Sequence, residues 1–241
     1  NNDPKAPMPT MENLAGKSKE VQNAMKAFPL MVLRTFQKGT LTWIGGTMLK
    51  DIRNHQVYPS AGYRVVLTAK YTLPRLNDQF SFLKTELEGS SYTSLIDEGA
   101  LVLGMHTKIG RINDIDFKKN IPYKELYHVG GPGTVRGFKF GEVGPAWAST
   151  SEPLGARNIV LYNAELIFPI IDQYGLRGHF FYDAGAGWDT PKSDITADMV
   201  KKDLFNFRHS VGFGINITAP VPAKIDWGFK LDRRRKEGES P

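Results

Sequence analysis

One short stretch of this sequence, GGPGTVRGF at residues 130–138, surrounds a charged side chain with glycine and apolar neighbours. Arg136 follows Val135 and precedes Gly137 and Phe138, an environment typical of a buried residue. A buried guanidinium must be paired, because an isolated charge in a protein interior costs several kcal/mol or more. The chemistry that this stretch predicts is therefore ion pairing with carboxylates elsewhere in the chain.

Two carboxylates are candidates for this pairing. Glu165 lies in YNAELIFP and Asp183 lies in FFYDAGAGW, each on the polar face of an alternating segment. Adjacent antiparallel strands are about 4.8 Å apart, so two such acids can converge on one fork-shaped cation. Arginine suits this role better than lysine, because its planar guanidinium offers five donors and stays charged. We therefore expect the 110–157 loop to fold inward and Arg136 to anchor it, although alternation alone also allows Arg136 to point into solvent.

The remaining chemical groups do not indicate catalysis. The five histidines are scattered, and none has a metal-ligand spacing such as HExxH: His55, His106, His128, His179 and His209. His179 shares a face with Asp183, but no Ser or Cys nucleophile motif accompanies the pair. GGPGTVRG also lacks the GK[ST] ending of a phosphate-binding loop. We expect neither an enzyme nor a bound metal or cofactor.

The elements that position these residues follow from hydrophobic periodicity. In 63–73, YRVVLTAKYTL, apolar residues occupy the odd positions and mostly polar residues the even ones, which predicts a strand with two unlike faces. Residues 39–50 follow the pattern more weakly through an apolar face of Leu41, Trp43 and Leu49. Residues 79–88 change phase between Phe82 and Leu83, which would fit a bulge. The same alternation recurs in 101–109, 158–168, 176–188, 207–219 and 225–231.

These eight candidate strands of about 8–13 residues predict an all-β fold. Strands of soluble sandwiches are commonly about 5–6 residues long, whereas a tilted strand needs about 9–11 residues to span a bilayer. The polar faces are rich in glycine and mix both charge signs, as the lumen of a membrane barrel does. We predict a transmembrane antiparallel β-barrel with one long loop in its lumen. Four aromatic side chains are expected near the membrane interfaces: Trp43, Tyr63, Trp188 and Trp227.

The connections support this fold. Three long segments, 1–37, 110–157 and 189–206, fall on one side of the sheet, and mainly short turns fall on the other, as in outer-membrane barrels. Segment 1–37 is predicted to be an extracellular loop with a short helix, because Leu14, Val21 and Met25 have helical spacing. Residues 38–241 are predicted to form a partial barrel.

Composition sets wider bounds. The chain has 241 residues, a net charge of +6 and no cysteine, which excludes a disulfide framework or a thiolate metal site. No stretch reaches the roughly 20 apolar residues of a spanning helix. The chain begins with loop-like residues and no initiator Met, so we expect a fragment of a longer protein. The basic cluster at 233–236 is expected to be a solvated loop, with a contact for lipopolysaccharide phosphates as the functional alternative. Nucleic acid is a poor fit to a lipid-facing barrel.

Taken together, these motifs resemble a known family. GGPGTVRGF followed by GEVGP, PLGA, AELIFPI, GLRGHFFYDAGAGW and SVGFGI is similar to the C-terminal barrel of the BamA superfamily of outer-membrane assembly proteins. The upstream GGTMLKDIRNHQVYPSAGYRVVLTAKYTLP is similar to the same family, and the resemblance covers roughly residues 38–233. VRGF alone is a weak signal, but VRGF with correctly ordered acidic motifs downstream is specific.

The resemblance implies a barrel of about sixteen strands, preceded by periplasmic POTRA domains and located in a bacterial outer membrane. It implies that the VRGF loop enters the lumen, with Arg136 bound by Glu165 and Asp183. It further implies an assembly factor that folds and inserts unfolded outer-membrane proteins without ATP, alongside periplasmic lipoproteins, lipid and lipopolysaccharide. In this comparison the chain starts in the fourth extracellular loop and stops one strand short, so the strands of the family's lateral seam are absent.

Two alternatives remain open at this point. A two-partner secretion transporter of the same superfamily has a similar arginine motif, and the number of upstream POTRA domains would distinguish it from an insertase. A passive porin is a different class, and the plug-like loop argues against it.

Overall fold

The computed structural model describes most of the chain. The helix expected in 1–37 and the basic cluster at 233–236 lie outside the described residues. Within the part of the chain that is described, no helix is long and apolar enough to cross a bilayer. The described residues are 39–73, 80–96, 100–116, 121–171, 173, 175–190, 199–201, 205–217 and 221–232.

Eight long strands form one antiparallel sheet in chain order, and two short strands pair separately. The eight are β1 (Trp43–Asp51), β2 (Gly62–Thr72), β3 (Phe82–Ile96), β4 (Leu101–Asp114), β6 (Asn158–Ile171), β7 (Leu176–Trp188), β9 (Arg208–Ile217) and β10 (Ala223–Lys230). The short pair is β5 (Ala146–Trp147) and β8 (Val200–Lys201). Within the described sheet, β1 and β10 are the two edges. The prediction of about eight antiparallel strands is confirmed.

The sheet has two chemically different faces. Alternating residues place large apolar side chains on the face that we call the outer face, where Leu67 is 44% exposed, Phe180 58% and Trp227 46%. The opposite, inner face carries charged and glycine residues. So large an exposed apolar surface is unusual for a protein in water and indicates a surface that something apolar covers.

The hydrophobic core lies on the inner face, beneath residues 121–157, which we call the inserted segment. Two isolated bridges, Tyr127 with Ala156 and Val129 with Val143, fold this segment back on itself. Its apolar side chains pack on inner-face residues near one end of β3, β4 and β6. This core consists of Phe82, Ile112, Ile121, Leu126, Tyr127, Val129, Val135, Phe138, Val143, Ala156, Ile159 and Leu161.

Strand β3 is longer than its sequence predicts. We expected a strand over 79–88, and that boundary is wrong because β3 continues through LEGSSYTSLI to Ile96. The small polar residues of this stretch do not end the strand, since neighbours on both sides supply backbone partners, Gly62 and Gly104 for Tyr92, for example. Local polarity indicates a turn only where such long-range pairing is missing.

The bulge predicted between Phe82 and Leu83 is also absent. Both residues pair in regular register, and the shift in β3 occurs between Ser94 and Ile96 instead. The change of phase has a different cause: Phe82 faces inward and is fully buried under the inserted segment. Because Phe82 is an apolar residue on the inner face, the apolar–polar alternation changes phase there although the pairing is regular.

Strand β1 shows the same effect and corrects the position of Trp43. Trp43 pairs with Thr72, and the Lys70 ammonium lies 4.9 Å from the centre of the Trp43 ring, so Trp43 is on the inner face. Leu41 packs against the core under the inserted segment. The apolar face predicted from Leu41, Trp43 and Leu49 is therefore the inner face, and the inward Trp43 does not fit the expected row of aromatic side chains at the membrane interfaces.

The other three predicted interface aromatics occupy different heights on the sheet. Trp188 ends β7 and meets Phe205 edge to face at 4.8 Å, whereas Tyr63 lies at the opposite end, near the start of β2. Trp227 lies within β10 and stacks on Phe213 of β9 with 5.4 Å between ring centres. Their placement at membrane interfaces stays a prediction.

Candidate functional site

The tip of the inserted segment turns tightly because it is built from glycines. Gly130, Gly131, Gly133 and Gly137 all have positive φ angles, between 79° and 120°, which residues with a Cβ rarely adopt. The turn is closed by the Gly131 backbone N–H, which donates to the Val135 carbonyl oxygen at 3.1 Å. This geometry points Arg136 at the inner face of the sheet.

Asp183 of β7 receives Arg136 in a forked ion pair. The Nε of Arg136 donates to Oδ2 at 2.8 Å, Nη2 donates to Oδ1 at 2.7 Å, and the Arg136 backbone N–H donates to Oδ2 at 3.0 Å. Asp183 is fully buried. The Nδ2 of Asn163 adds a fourth bond to Asp183 at 2.8 Å and also donates to the Thr134 carbonyl oxygen at 2.7 Å. A buried carboxylate with four donors is well satisfied.

Two further carboxylates surround the same guanidinium. Nη1 of Arg136 donates to Glu165 Oε1 at 2.5 Å and lies 3.4 Å from Asp226 Oδ2. Lys224 Nζ lies 3.2 Å from Glu165 Oε1, and His179 Nε2 lies 2.7 Å from Asp226 Oδ1. The anchor is therefore a network of three acids from three strands rather than the pair of acids expected.

An aromatic ring completes the site. The guanidinium carbon of Arg136 lies 3.6 Å from the centre of the Phe181 ring, which is almost fully buried. Phe181 pairs with Glu165 across β6 and β7. A guanidinium over an aromatic face gains cation–π energy, more so when water is excluded. Sequence reasoning missed Phe181, although the alternation that selects Asp183 puts Phe181 on the same face two residues away.

The charge of Arg136 is secure. Burial alone would lower the pKa of Arg136, but the hydrogen bonds to Asp183 and the negative charge of Glu165 outweigh burial, so the pKa lies above its usual value. The anchor therefore keeps its cation throughout the physiological pH range.

Gly137 brings the backbone of the segment against β10. A Cβ atom on Gly137 would lie 2.8 Å from the Gly228 carbonyl carbon, and one on Gly228 would lie 2.6 Å from the Gly137 nitrogen. The next residue, Phe138, is buried, and the cations of Lys230 and Arg208 lie 4.8 Å and 5.5 Å from its ring centre. The small residues at both positions are what allow this contact.

The inserted segment also holds β10 by an ion pair. Lys230 donates to both carboxylate oxygens of Glu142, at 2.6 Å and 2.7 Å. In the described sheet β10 pairs only with β9. The contacts at Asp226, Gly228 and Lys230 therefore give this edge strand a second support from the inner side.

Open space remains beside the tip. A cavity of about 590 Å³ lies against the anchor, and its lining mixes both charge signs. Lining residues that carry charge or hydrogen-bonding groups include Tyr92, His106, Arg136, Glu165, Lys224 and Asp226. The inserted segment therefore fills the inner side only in part, and the rest is polar enough to hold water.

Comparison with known proteins places this chain in a family. The model of the Omp85 superfamily domain matches residues 13–240. The chain belongs to the Omp85 superfamily. It is 25% identical over 223 residues to the outer membrane protein assembly factor BamA of Neisseria meningitidis serogroup B, covering 83% of this chain and 27% of that protein. It is also 25% identical over 199 residues to a SAM50-like protein of Drosophila melanogaster, covering 79% of this chain and 41% of that protein.

A solved structure agrees with the fold of this Omp85 chain. The crystal structure of BamA from Haemophilus ducreyi lacking POTRA domains 1–3 matches with a TM-score of 0.68 at 22% identity, over 80% of this chain and 39% of that one. The sheet is thus of the BamA barrel type. The chain spans between about a quarter and two fifths of the length of these relatives. Two of the relatives are named outer membrane protein assembly factor BamA.

A matched pair of glycine substitutions separates backbone conformation from close contact. Gly137 and Gly133 both have positive φ, but a Cβ at Gly133 would meet nothing within 4 Å. Gly137→Ala should therefore destabilise the seated segment by about 1–3 kcal/mol more than Gly133→Ala, because it also overpacks against β10. Limited proteolysis of the segment measures the difference, and equal sensitivity of the two variants would contradict the contact with Gly228.

His128 should make the seating of the segment depend on pH. Its ring stacks on Phe140 at 5.2 Å and meets Tyr123 edge to face at 4.6 Å. Its Nε2 is buried and has no hydrogen-bond partner among the described residues. Burial lowers the pKa of His128, and together with the positive charge of Lys84 it outweighs a hydrogen bond with the Leu126 backbone that raises the pKa. Because the seated form binds the proton less well than the released form, protonation favours release.

Protection of the inserted segment should therefore be complete above about pH 6.5, the ordinary pKa of histidine, and should fall as the pH drops below it. Proteolysis rates at pH 7.5 and pH 5 measure this change. His128→Gln removes the titrating group and should flatten the profile, whereas His55→Gln, outside the segment, should not. A steep profile that survives His128→Gln would assign the pH dependence to other groups.

Proposed function

We propose that this chain is the barrel portion of an assembly factor that folds and inserts β-barrel proteins into an outer membrane. The observation that carries the proposal is the Arg136 anchor, seated on Asp183 and Glu165 in a sheet whose opposite face is apolar. Membership of the Omp85 superfamily supports it, as do relatives named outer membrane protein assembly factor BamA.

The geometry suits such a role in two ways. The inserted segment occupies the inner side, which we take to be the lumen, so it would obstruct free passage of solutes and argues against a passive porin. It also connects β6, β7 and β10 through one guanidinium. A barrel that handles unfolded strands needs a wall that keeps its shape, and exposed strand edges can bind further strands by backbone pairing.

We further propose the outer membrane of a bacterium as the location, supported by BamA relatives from Neisseria meningitidis and Nitratidesulfovibrio vulgaris. SAM50-like relatives from Drosophila melanogaster and Schizosaccharomyces pombe make a eukaryotic outer membrane the alternative. Unfolded outer-membrane proteins are the proposed clients. Periplasmic lipoproteins and lipopolysaccharide are proposed as partners in the bacterial case. Segment 1–37 is proposed to be extracellular.

The membrane location is tested by placing one charge on either face of β2. Leu67→Arg adds a cation to the outer face and should cost about 2–4 kcal/mol if that position is near the bilayer midplane. Thr68→Arg adds the same cation to the inner face and should cost much less. The fraction of folded protein recovered in membranes measures both effects, and equal recovery of the two variants would argue against a lipid-facing outer surface.

The function is tested by breaking the anchor in the full-length protein. Arg136→Ala leaves Asp183 buried without its cation, a loss of about 3–5 kcal/mol, and should expose the segment to protease and lower client-barrel levels in the membrane. Glu165→Gln combined with Asp183→Asn should have the same effect.

Arg111→Ala is the matched control, because Arg111 is exposed and donates to Asn113 at 2.7 Å, away from the anchor. Unchanged protease protection in Arg136→Ala would refute the anchor. Lost protection with normal client levels, together with failed export of one secreted partner, would favour a secretion transporter.

A further inference from the structure

A second polar contact of the inserted segment lies ahead of the glycine tip. Residues Tyr123–Glu125 form a single 3-10 turn that follows Pro122, whose φ of −60° is set by its ring. The Glu125 N–H donates to the Pro122 carbonyl oxygen at 2.9 Å, and the Leu126 N–H donates to the Tyr123 carbonyl oxygen at 3.2 Å. Leu126 is buried in the core. The backbone at Glu125 is therefore fixed on both sides.

Glu125 meets two lysines on β2 and β3, which lie across the sheet from the strands that bind Arg136. Lys70 of β2 donates to Glu125 Oε1 at 2.5 Å. Lys84 of β3 donates to the Glu125 carbonyl oxygen at 2.9 Å and lies 3.8 Å from Oε2. The three side chains are 20% or less exposed, so the contact is largely shielded from water. Shielded pairs of this kind are stronger than surface ion pairs.

Aromatic rings hold both lysines in place. The Lys84 ammonium lies 4.6 Å from the centre of the Tyr127 ring. The Lys70 ammonium lies 4.9 Å from the Trp43 ring centre and 5.9 Å from the Phe82 ring centre. These contacts leave the two lysines few alternative positions.

We propose that Glu125 is a second anchor of the inserted segment, which binds Lys70 and Lys84 and acts independently of Arg136. The two anchors have opposite charge sense. At β2 and β3 Glu125 supplies the acid, whereas at β6, β7 and β10 Arg136 supplies the base, beside the separate pair of Glu142 with Lys230. The segment therefore bridges the described sheet from its second strand to its last.

This opposite charge sense determines how the segment can lie. A shift or reversal along the inner face would bring Glu125 towards Glu165 and Asp183, or Arg136 towards the lysines, and both arrangements are repulsive. The second anchor thus fixes where the segment lies along the inner face, and Glu125 takes part in no reaction. Its consequence for client assembly rests on the function proposed above, but its structural content does not.

The test uses cysteine labelling in the full-length protein, because this sequence has no cysteine of its own. Leu126→Cys reports on the second anchor, and Val135→Cys reports on the tip, since both residues are buried. Glu125→Lys replaces the attraction to Lys70 and Lys84 by repulsion and should raise the maleimide labelling rate of the Leu126→Cys reporter at least about tenfold. It should change Val135→Cys much less, and Arg136→Ala should give the opposite result.

Two further variants guard against general misfolding. Lys70→Glu combined with Glu125→Lys restores one attraction in reversed order and should recover part of the lost protection. Arg64→Gln removes an inner-face cation near the start of β2, where Arg64 lies 3.8 Å from Glu88, and should leave both reporters unchanged.

Unchanged labelling at Leu126→Cys in Glu125→Lys would overturn the second anchor. Equal increases at both reporters would overturn its independence, because the segment would then move as one unit. Absence of any recovery in the reversed pair would overturn the role of Lys70. The predicted labelling pattern with normal client levels would support the anchor and count against the proposed function instead.

Discussion

The structure depends on one buried ion pair, between Arg136 and Asp183. Neither charge could remain in the interior without the other, so the two residues tie a loop to a strand far along the chain. The surrounding features serve this contact. Glycines turn the loop tip, Gly228 clears space for it on the last strand, and Phe181 supplies a flat surface for the guanidinium.

The same contact explains why the inner face is not uniformly polar. Where the inserted segment covers the sheet, inner-face positions are apolar, as Phe82, Ile159 and Leu161 show. Beyond the cover, glycine and charged residues line an open space. An inner-face position is therefore apolar where the inserted segment covers it and polar where it faces open space.

This dependence sets the limits of prediction from sequence. Alternation predicts the strands and most of the outer face because it is a local property, and the cost of a buried charge leads from Arg136 to Asp183. The inward position of Trp43 and the role of Glu125 depend on the inserted segment, whose path joins residues far apart in the chain. Alternation carries no information about such contacts, and the resemblance to a family supplied only the acids of its motif. The third acid, Asp226, lies on a face already recognised as polar, but nothing in its neighbourhood marks it as a partner of Arg136.

The position of the inserted segment within the chain has a consequence for the order of folding. The segment precedes β6, β7, β9 and β10, yet Arg136 is bound by residues of three of these later strands. During synthesis the guanidinium therefore emerges before any of its carboxylate ligands. Closure of such long loops is slow compared with local pairing. The inserted segment therefore settles late, after the β9–β10 hairpin has docked, and until then the inner face of the sheet is uncovered.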